Sequence, residues 1–148
     1  MIKAAESLAE KEQLDELLWQ VLWKPLDLPR DIRTKFGLPG KKTIELIAVE
    51  NKIVVGGLVA IWINENKLEI RHLAVEKDYQ KRSIGTRLIS NLFDLIKKNN
   101  PIRIQTYVRN TSFPFFVKCG FKQVNEQWIE HPDFERHGIR FKLVEKYI

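Results

Sequence analysis

A strand, a polar loop, an amphipathic helix and a second strand follow one another in the middle of the chain. The first apolar run covers residues 67–75, and the helix covers residues 84–98, where apolar residues recur at spacings of three and four. Pro101 stops the helix, and residues 102–108 form the next strand-like run. Two strands that are joined through a helix run parallel, with a right-handed crossover. The chain is therefore predicted to contain a parallel strand pair beside its clearest helix.

Two more strand-like runs precede this unit, at residues 44–50 and 53–63. Short polar connections separate these runs from each other and from residues 67–75, a pattern that predicts an antiparallel meander. Downstream, the sequence predicts a short helix, a strand and a closing strand at residues 111–119, 121–128 and 139–146. Together the runs predict an α/β fold built on one mixed sheet.

An amphipathic helix is predicted at residues 6–23, with Ser7 as its N-cap. It ends before Pro25, because proline cannot continue a helix interior. Pro29 suits a first-turn position and predicts a short second helix that runs through Phe36. No linker, repeat or low-complexity segment interrupts the chain, which at 148 residues has the size of one domain.

The composition is that of a soluble globular protein, with 44% hydrophobic and 30% charged residues. The 25 basic residues outnumber the 19 acidic ones and give a net charge of +6, which favours an anionic partner such as nucleic acid, acidic lipid or a polyphosphate cofactor. Because acids and bases are interspersed along the whole chain, ordinary solvated surface is the alternative interpretation. The sequence has no recognised nucleic-acid motif and no clustered basic and aromatic face, so no nucleic-acid partner is predicted.

Cysteine usage and hydropathy predict a cytoplasmic protein. Cys119 is the only cysteine, so that no intramolecular disulfide can form, and the simplest compartment is a reducing one. The longest apolar stretch, residues 53–63, is too short to span a bilayer, and the N-terminus lacks the apolar core of a signal peptide. His72, His131 and His137 do not have metal-ligand spacing, so neither a membrane nor a metal site is predicted.

The junction between the strand at residues 67–75 and the helix at residues 84–98 has the properties of an anion site. A helix N-terminus presents unpaired backbone N–H groups and the positive end of the helix dipole. Gly85 lets an anion approach closely, and Lys81 and Arg82 add positive charge. The alternative is an ordinary loop-to-helix turn with exposed basic residues.

Two short motifs lie at and beyond this junction. The first comprises I-R-H-L-A-V at residues 70–75 and Q-K-R-S-I-G-T at residues 80–86, and it is similar to the acetyl-CoA motif Q/R-x-x-G-x-G/A. The second comprises Asn110 and F-F-V-K-C-G-F at residues 115–121. These motifs resemble those of the GNAT superfamily of N-acetyltransferases. They occur in that family's order, and the resemblance covers residues 44–128.

The resemblance implies a single GNAT domain over residues 1–148 that uses acetyl-CoA to acetylate an amine. The implied fold is a mixed, mostly antiparallel sheet of six to seven strands, flanked by helices, with a splayed parallel pair at its centre. Backbone groups of the splayed strands are expected to bind the pantetheine arm, and the loop before the helix is expected to bind the pyrophosphate. The residues implied in cofactor binding are Leu73, Ala74, Val75, Gln80, Lys81, Arg82, Ser83, Ile84, Gly85, Thr86, Asn110, Phe113 and Phe116.

The sequence departs from the family pattern at two positions. Ser83 stands where the first motif usually has its first glycine, which restricts the backbone and predicts a lower cofactor affinity. Phe116 stands where the family often has a tyrosine that acts as general acid toward the leaving thiolate. Tyr107 is a candidate to replace that acid, with a core or interface tyrosine as the alternative. An acid is helpful but not obligatory, because a thiol with a pKa of about 8.5 leaves readily as its anion.

Two residues near the first motif are candidate proton acceptors for an amine. Glu69 occupies the position that resembles the general base of the histone acetyltransferase branch, with an outward-facing strand carboxylate as the alternative. Strand alternation places Glu69 on the face of Leu73 and His72 on the opposite face. His72 is the second candidate, with a packed histidine as the alternative. A backbone N–H near Leu73 is expected to polarise the thioester carbonyl.

The amine acceptor is expected to bind beside the loop at residues 130–139, whose polar residues can line a pocket together with Trp19 and Trp23. A surface hairpin with core tryptophans is the alternative. Two other functions stay open at this point. Ser83 and Phe116 favour a non-catalytic acyl-CoA sensor, and the net charge and four tryptophans favour, more weakly, a nucleic-acid-binding module. The resemblance also leaves a homodimer open.

Overall fold

Seven strands form one sheet in the computed structural model, which describes residues 1–35, 40–99 and 101–148. In chain order they are β1 (Ile2–Ala4), β2 (Thr43–Glu50), β3 (Ile53–Asn64), β4 (Lys67–Val75), β5 (Arg103–Arg109), β6 (Lys122–Gln123) and β7 (Phe141–Tyr147). Their order across the sheet is β1-β2-β3-β4-β5-β7-β6. Neighbouring strands are antiparallel except β4 and β5, which lie near the centre and run parallel. The predicted mixed, mostly antiparallel sheet with a central parallel pair is confirmed.

Five α-helices accompany the sheet in the described ranges, namely α1 (Leu8–Leu18), α2 (Ile32–Lys35), α3 (Ile84–Ile96), α4 (Phe113–Lys118) and α5 (Pro132–Glu135). Ser7 caps α1 as predicted. Its hydroxyl accepts a hydrogen bond from the Glu10 backbone N–H at 3.1 Å, and the Glu10 carboxylate accepts one from the Ser7 N–H. None of these helices is both long and apolar enough to cross a bilayer.

The chain after α1 turns back toward the sheet. The helix continues as a π-helical turn at Trp19–Trp23 and a 3₁₀ turn at Lys24–Leu26, which ends the helical segment close to the predicted position. The predicted second helix is present as α2 but begins three residues after Pro29. Its predicted end at Phe36 lies outside the described residues. The end of the π-helical turn contacts both parallel strands, with Trp23 against His72 of β4 and the Leu22 carbonyl bound by Arg109 of β5.

Two hydrophobic cores cover the two faces of the sheet. On one face α3 packs through Ile84, Leu88, Leu92 and Ile96, and on the other α1 packs through Leu14, Leu17 and Leu18. Two adjacent glycines in β3 allow this close approach. A Cβ on Gly56 would lie 3.0 Å from the Ile84 Cγ2 atom, and a Cβ on Gly57 would overlap the Leu14 side chain. The central strands therefore lie between the two helices. The sheet has an α3 face, covered by the α3 core, and an α1 face, covered by the α1 core.

The strand predicted at residues 121–128 was wrong in its extent. Only β6 and one isolated bridge, between Ile129 and Phe141, form in that region. The residues between them are mostly exposed, so no buried face sets a strand register, and the Asn125 side chain accepts a hydrogen bond from the Gln127 N–H within a turn. Neither β1 nor α5 was predicted, because three or four residues are too few to show a period.

A β-bulge in β4 changes which residues share a face. Arg71 is an extra residue, because its neighbours Ile70 and His72 pair with consecutive residues of β3. Beyond the bulge the alternation of side chains shifts by one position. Leu73 therefore packs toward the α3 core, whereas Glu69 and His72 both lie on the face of α1. The prediction that Glu69 shares a face with Leu73 was wrong for this reason.

Candidate active site

The two parallel strands separate toward their C-terminal ends. Pairing of β4 with β5 runs from Lys67 with Arg103 to Ile70 with Thr106. At the last position the Thr106 hydroxyl donates a hydrogen bond to the Ile70 carbonyl oxygen at 3.0 Å. β4 continues to Val75, so its main-chain groups that face the gap have no β5 partner among the described residues. Such groups can pair with the amides of an extended ligand.

A cavity of about 410 Å³ occupies this gap and is lined from both faces of the sheet. The α1 face contributes Trp23, Glu69, His72, Tyr107, Arg109 and Phe134, and the α3 face contributes Leu73, Thr106, Val108 and Phe116. The volume lies in the range of small-molecule sites. Because residues of both faces line one space, a ligand on the α3 side can reach groups on the α1 side through the sheet.

The loop between β4 and α3 presents backbone N–H groups. A 3₁₀ turn at Lys77–Tyr79 is followed by Lys81 and Ser83, which both adopt left-handed backbone conformations with φ of 66° and 62°. Ser83 immediately precedes α3, and its side chain does not cap the helix. In the described part of the chain, no protein acceptor pairs with the first N–H groups of α3. These groups can bind an anion, in a loop where Ser83 adopts a conformation that favours glycine.

Side chains around this loop hold its shape. Gln80 Nε2 donates a hydrogen bond to the last carbonyl oxygen of β4 at 2.9 Å. The Arg82 guanidinium lies over the Tyr79 ring, 5.1 Å from its centroid, and remains exposed. Gly85 lies against α4, where a Cβ would be 3.2 Å from the Phe115 Cζ atom. The two motifs that were identified separately in the sequence are therefore in contact.

The other predicted cofactor residues of this region divide between core and surface. Leu73 and Val75 are half-buried and pack toward the α3 core. Ala74 is buried in the α1 core, and Ile84, the first residue of α3, is buried in the α3 core. Thr86 is exposed in the first turn of α3. Of these five side chains, Leu73 lines the cavity.

Glu69 is a buried carboxylate whose two oxygens both accept hydrogen bonds. Only 5% of the residue is exposed. Oε2 accepts from Arg71 Nη1 at 2.7 Å, and Oε1 accepts from Gln105 Nε2 at 2.7 Å. These partners hold the carboxylate in one orientation at the cavity wall, while each oxygen retains a second lone pair.

His72 lies beside Glu69 on the same face and is half-buried. Its ring makes an edge contact with Trp23, with the ring centroids 5.0 Å apart. Burial lowers the pKa of His72 to about 3, and the positive charges of Arg33, Arg71 and Arg109 lower it further in the same direction. The imidazole is therefore neutral at physiological pH and can accept a hydrogen bond.

A comparison with known protein families agrees with this geometry. Residues 28–147 match the family described as an acetyltransferase (GNAT) domain, which is most of the chain. The chain belongs to the GNAT acetyltransferase family. Acetyl-CoA is the cofactor of this GNAT acetyltransferase, and the N–H groups at the start of α3 fit its pyrophosphate.

Solved structures of the same fold include two with coenzyme A. An aminoglycoside 6'-N-acetyltransferase complexed with coenzyme A has a TM-score of 0.77 at 20% identity, over 99% of this chain and 96% of that chain. The PaiA N-acetyltransferase from Thermoplasma acidophilum, in complex with coenzyme A, has a TM-score of 0.72 at 19% identity, over 100% and 99%. Escherichia coli ElaA has a TM-score of 0.80 at 15% identity, over 99% of both chains. At these identities the matches establish the shared fold.

Phe116, which stands at the usual tyrosine position of this GNAT acetyltransferase, and Tyr107, the candidate replacement acid, both line the cavity. Phe116 is buried there and offers no proton. Tyr107 is 48% exposed, so its side chain lies at the edge of the cavity, partly in contact with solvent. The structure thus brings Tyr107 into the same space as Glu69 and His72.

Asn110 and Phe113 lie outside the cavity lining and contact the segment before β7. The Asn110 side chain donates a hydrogen bond to the Gly138 carbonyl at 3.2 Å and accepts one from the Arg140 N–H at 3.0 Å. Phe113 packs against Trp128, with the ring centroids 5.8 Å apart. Neither Asn110 nor Phe113 is among the described residues that line the cavity. Their side chains join α4 and the end of β5 to the segment before β7.

The predicted acceptor loop contributes part of the cavity wall. His131 and Phe134, in the loop that contains α5, line the cavity together with Trp23. Trp19 has a different position, since its indole N–H donates to the Leu28 carbonyl at 3.2 Å and the residue does not line the cavity. Of the two tryptophans proposed from the sequence, Trp23 is thus at the cavity.

Arg109 is a cavity residue that sequence reasoning missed. It is half-buried at the end of β5, and its Nη2 donates to the Leu22 carbonyl at 2.8 Å. Burial lowers the pKa of Arg109 to about 10, so the guanidinium remains charged at neutral pH. Alternation along β5 was the available signal, because Arg109 lies two residues after Tyr107 and shares its face.

Proposed function

We propose that this GNAT acetyltransferase transfers the acetyl group of acetyl-CoA to a small amine by direct attack of the amine nitrogen on the thioester. The observation that carries the proposal is the cavity between β4 and β5, which is lined from both faces of the sheet. The loop before α3 lies on one face, and Glu69 and His72 lie on the other. Cofactor and amine can therefore approach from opposite faces, and a volume of about 410 Å³ favours a small acceptor.

The α3 face supplies the groups that would hold the cofactor. Acetyl-CoA, when bound, supplies a reactive acetyl thioester. The uncapped N–H groups at the start of α3, together with Lys81 and Arg82, would neutralise the pyrophosphate. The main-chain groups of residues 71–75 that have no β5 partner would bind the pantetheine amides. A backbone N–H near Leu73 would polarise the thioester carbonyl.

The α1 face supplies the proton acceptor. An alkyl amine with a pKa of about 10.4 is mostly protonated at neutral pH and must lose a proton before it can attack. In this proposal Glu69 takes that proton, because Arg71 and Gln105 fix its carboxylate and leave a lone pair free on each oxygen. His72 stays neutral and accepts a hydrogen bond from the amine or from an intervening water.

A thiol-release assay over a panel of amines tests the transfer, with calorimetric titration of coenzyme A run in parallel. We expect amine-dependent thiol release in the wild type. Glu69→Gln should lower kcat by about 10²- to 10⁴-fold, the range for loss of a general base, while the Kd for coenzyme A stays within about threefold. Glu145→Gln is the matched control, because Glu145 is also ion-paired in the sheet, 2.7 Å from Arg103, but does not line the cavity.

Three results would contradict the proposal in different ways. Tight binding of coenzyme A without amine-dependent thiol release from any amine would reject the acetyl transfer. Near wild-type kcat in Glu69→Gln would reject Glu69 as the base and leave the transfer itself intact. Equal losses in Glu69→Gln and Glu145→Gln would show that the effect comes from the sheet and not from the cavity.

A further inference from the structure

We infer that the acceptor is a small amine that also carries a carboxylate, and that Arg109 binds this carboxylate. The inference rests on the proposed function, because it assigns an acceptor class to the same cavity. It concerns the α1 face, where Arg109 lines the cavity together with Glu69 and His72.

Arg109 holds a fixed position and has donors to spare. A guanidinium has five N–H donors in a planar fork. One donor binds the Leu22 carbonyl at 2.8 Å, and the guanidinium carbon lies 5.5 Å from the centroid of the Phe134 ring. No Asp or Glu of the described residues lies within 4.0 Å of the Arg109 nitrogens. The fork is therefore oriented by the protein but lacks an anionic partner.

The charges around the cavity leave Arg109 uncompensated. Its described lining contains two carboxylates, those of Glu69 and Glu130. Glu69 already pairs with Arg71 at 2.7 Å, and Glu130 is exposed to solvent. Burying a cation without a counter-charge is unfavourable, and this burial lowers the pKa of Arg109 to about 10. A ligand carboxylate can restore the balance with two parallel hydrogen bonds.

The position of the amine follows from the same face of the sheet. Arg109 and His72 both line the cavity of about 410 Å³, so one small ligand in this cavity can contact both. Trp23, Tyr107 and Phe134 form aromatic walls of the cavity, which suit an apolar ligand body. An amino acid with an apolar side chain matches this arrangement, with its amine toward Glu69 and its carboxylate toward Arg109.

The same arrangement disfavours polycationic amines. A polyamine or an aminoglycoside carries several ammonium groups, and in this cavity one of them would lie near the Arg109 charge. Recognition of such acceptors needs several unpaired carboxylates, which the described lining does not supply.

Matched pairs of amines test the inference. Each pair consists of an amino acid and the amine left by its decarboxylation, such as phenylalanine with 2-phenylethylamine and leucine with isoamylamine. We expect wild-type kcat/KM to favour the amino acid by about 10- to 100-fold, the range for a charge-assisted bidentate pair. In Arg109→Gln the ratio should fall close to one, and in Arg109→Lys, which keeps the charge but not the fork, it should be intermediate.

Arg136→Gln serves as the matched control, because Arg136 is exposed in the adjacent loop and does not line the cavity. This variant should keep the wild-type ratio. Calorimetric titration of coenzyme A into each variant shows whether the cofactor side remains folded. The measured quantity is the ratio of the two kcat/KM values in the same variant. A general loss of activity lowers both values and leaves this ratio unchanged, whereas loss of carboxylate recognition changes it.

A second binding measurement separates this inference from the proposed function. N-acetylphenylalanine and N-acetyl-2-phenylethylamine are titrated into the protein saturated with coenzyme A. Suppose that N-acetylphenylalanine binds more tightly than N-acetyl-2-phenylethylamine in the wild type but not in Arg109→Gln, and that no amine is acetylated. This result would overturn the proposed transfer but support the carboxylate site. Turnover of the decarboxylated amines as fast as the amino acids, or equal binding of the two acetylated compounds, would overturn the carboxylate site.

Discussion

Replacing His72 should reduce the acid sensitivity of the folded protein. The pKa of His72 is about 3 in the folded state, first because burial disfavours the charged imidazole, against about 6.5 in an unfolded chain. The unfolded state therefore binds more protons between about pH 6.5 and pH 3, and stability is lost as the pH falls through this window. At about pH 5, 1.5 units below the unfolded pKa, the loss in free energy of unfolding is about 2 kcal/mol, since one unit corresponds to about 1.4 kcal/mol.

Urea unfolding at about pH 7.5 and about pH 5 measures this loss in the wild type and in His72→Gln. The variant should lose about 2 kcal/mol less than the wild type over this interval, because glutamine does not titrate. His137→Gln is the control for replacing an imidazole by glutamine, since His137 is exposed. An identical pH dependence in His72→Gln and the wild type would refute the assignment of His72 as a neutral, desolvated group.

Two further substitutions test the cofactor loop and the leaving group. Ser83 has φ of 62°, so Ser83→Val should raise the Kd for coenzyme A by about tenfold through backbone strain. In Ser83→Gly the Kd should stay within about threefold of the wild-type value. Calorimetry measures both Kd values, and equal values in the two variants would contradict the role of this conformation. Tyr107→Phe should lower kcat by less than about tenfold, because a thiol with a pKa of about 8.5 leaves without an acid. A loss of about 10³-fold in steady-state thiol release would instead identify Tyr107 as a required acid.

Periodicity predicted the elements that span the sheet but not the short ones. The helix predicted at residues 84–98 is α3, and the strand predicted at 67–75 is β4. Both elements have long apolar patterns, because α3 buries one face of a helix and β4 is a central strand of the sheet. The failure at residues 121–128 has the opposite cause, because most of that segment is exposed and local turn bonds replace strand pairing.

The candidate site was predictable where it depends on local sequence and not where it depends on pairing between strands. The loop at residues 80–86 precedes a helix start, and this placement follows from the chain itself. The relation of Glu69 to Leu73 depends on the bulge at Arg71, which is defined only by the register against β3. Arg109 depends on packing of the π-helical turn and of the α5 loop around β5, contacts between residues far apart in the sequence.

A crystal structure of the protein with coenzyme A would show whether the gap between β4 and β5 is the reaction site. We expect the pyrophosphate on the N–H groups at the start of α3 and the sulfur in the gap beside Leu73, with the Glu69 carboxylate on the far side of the same cavity. A sulfur outside the gap, or a closed sheet between the sulfur and Glu69, would contradict the approach of cofactor and amine from opposite faces.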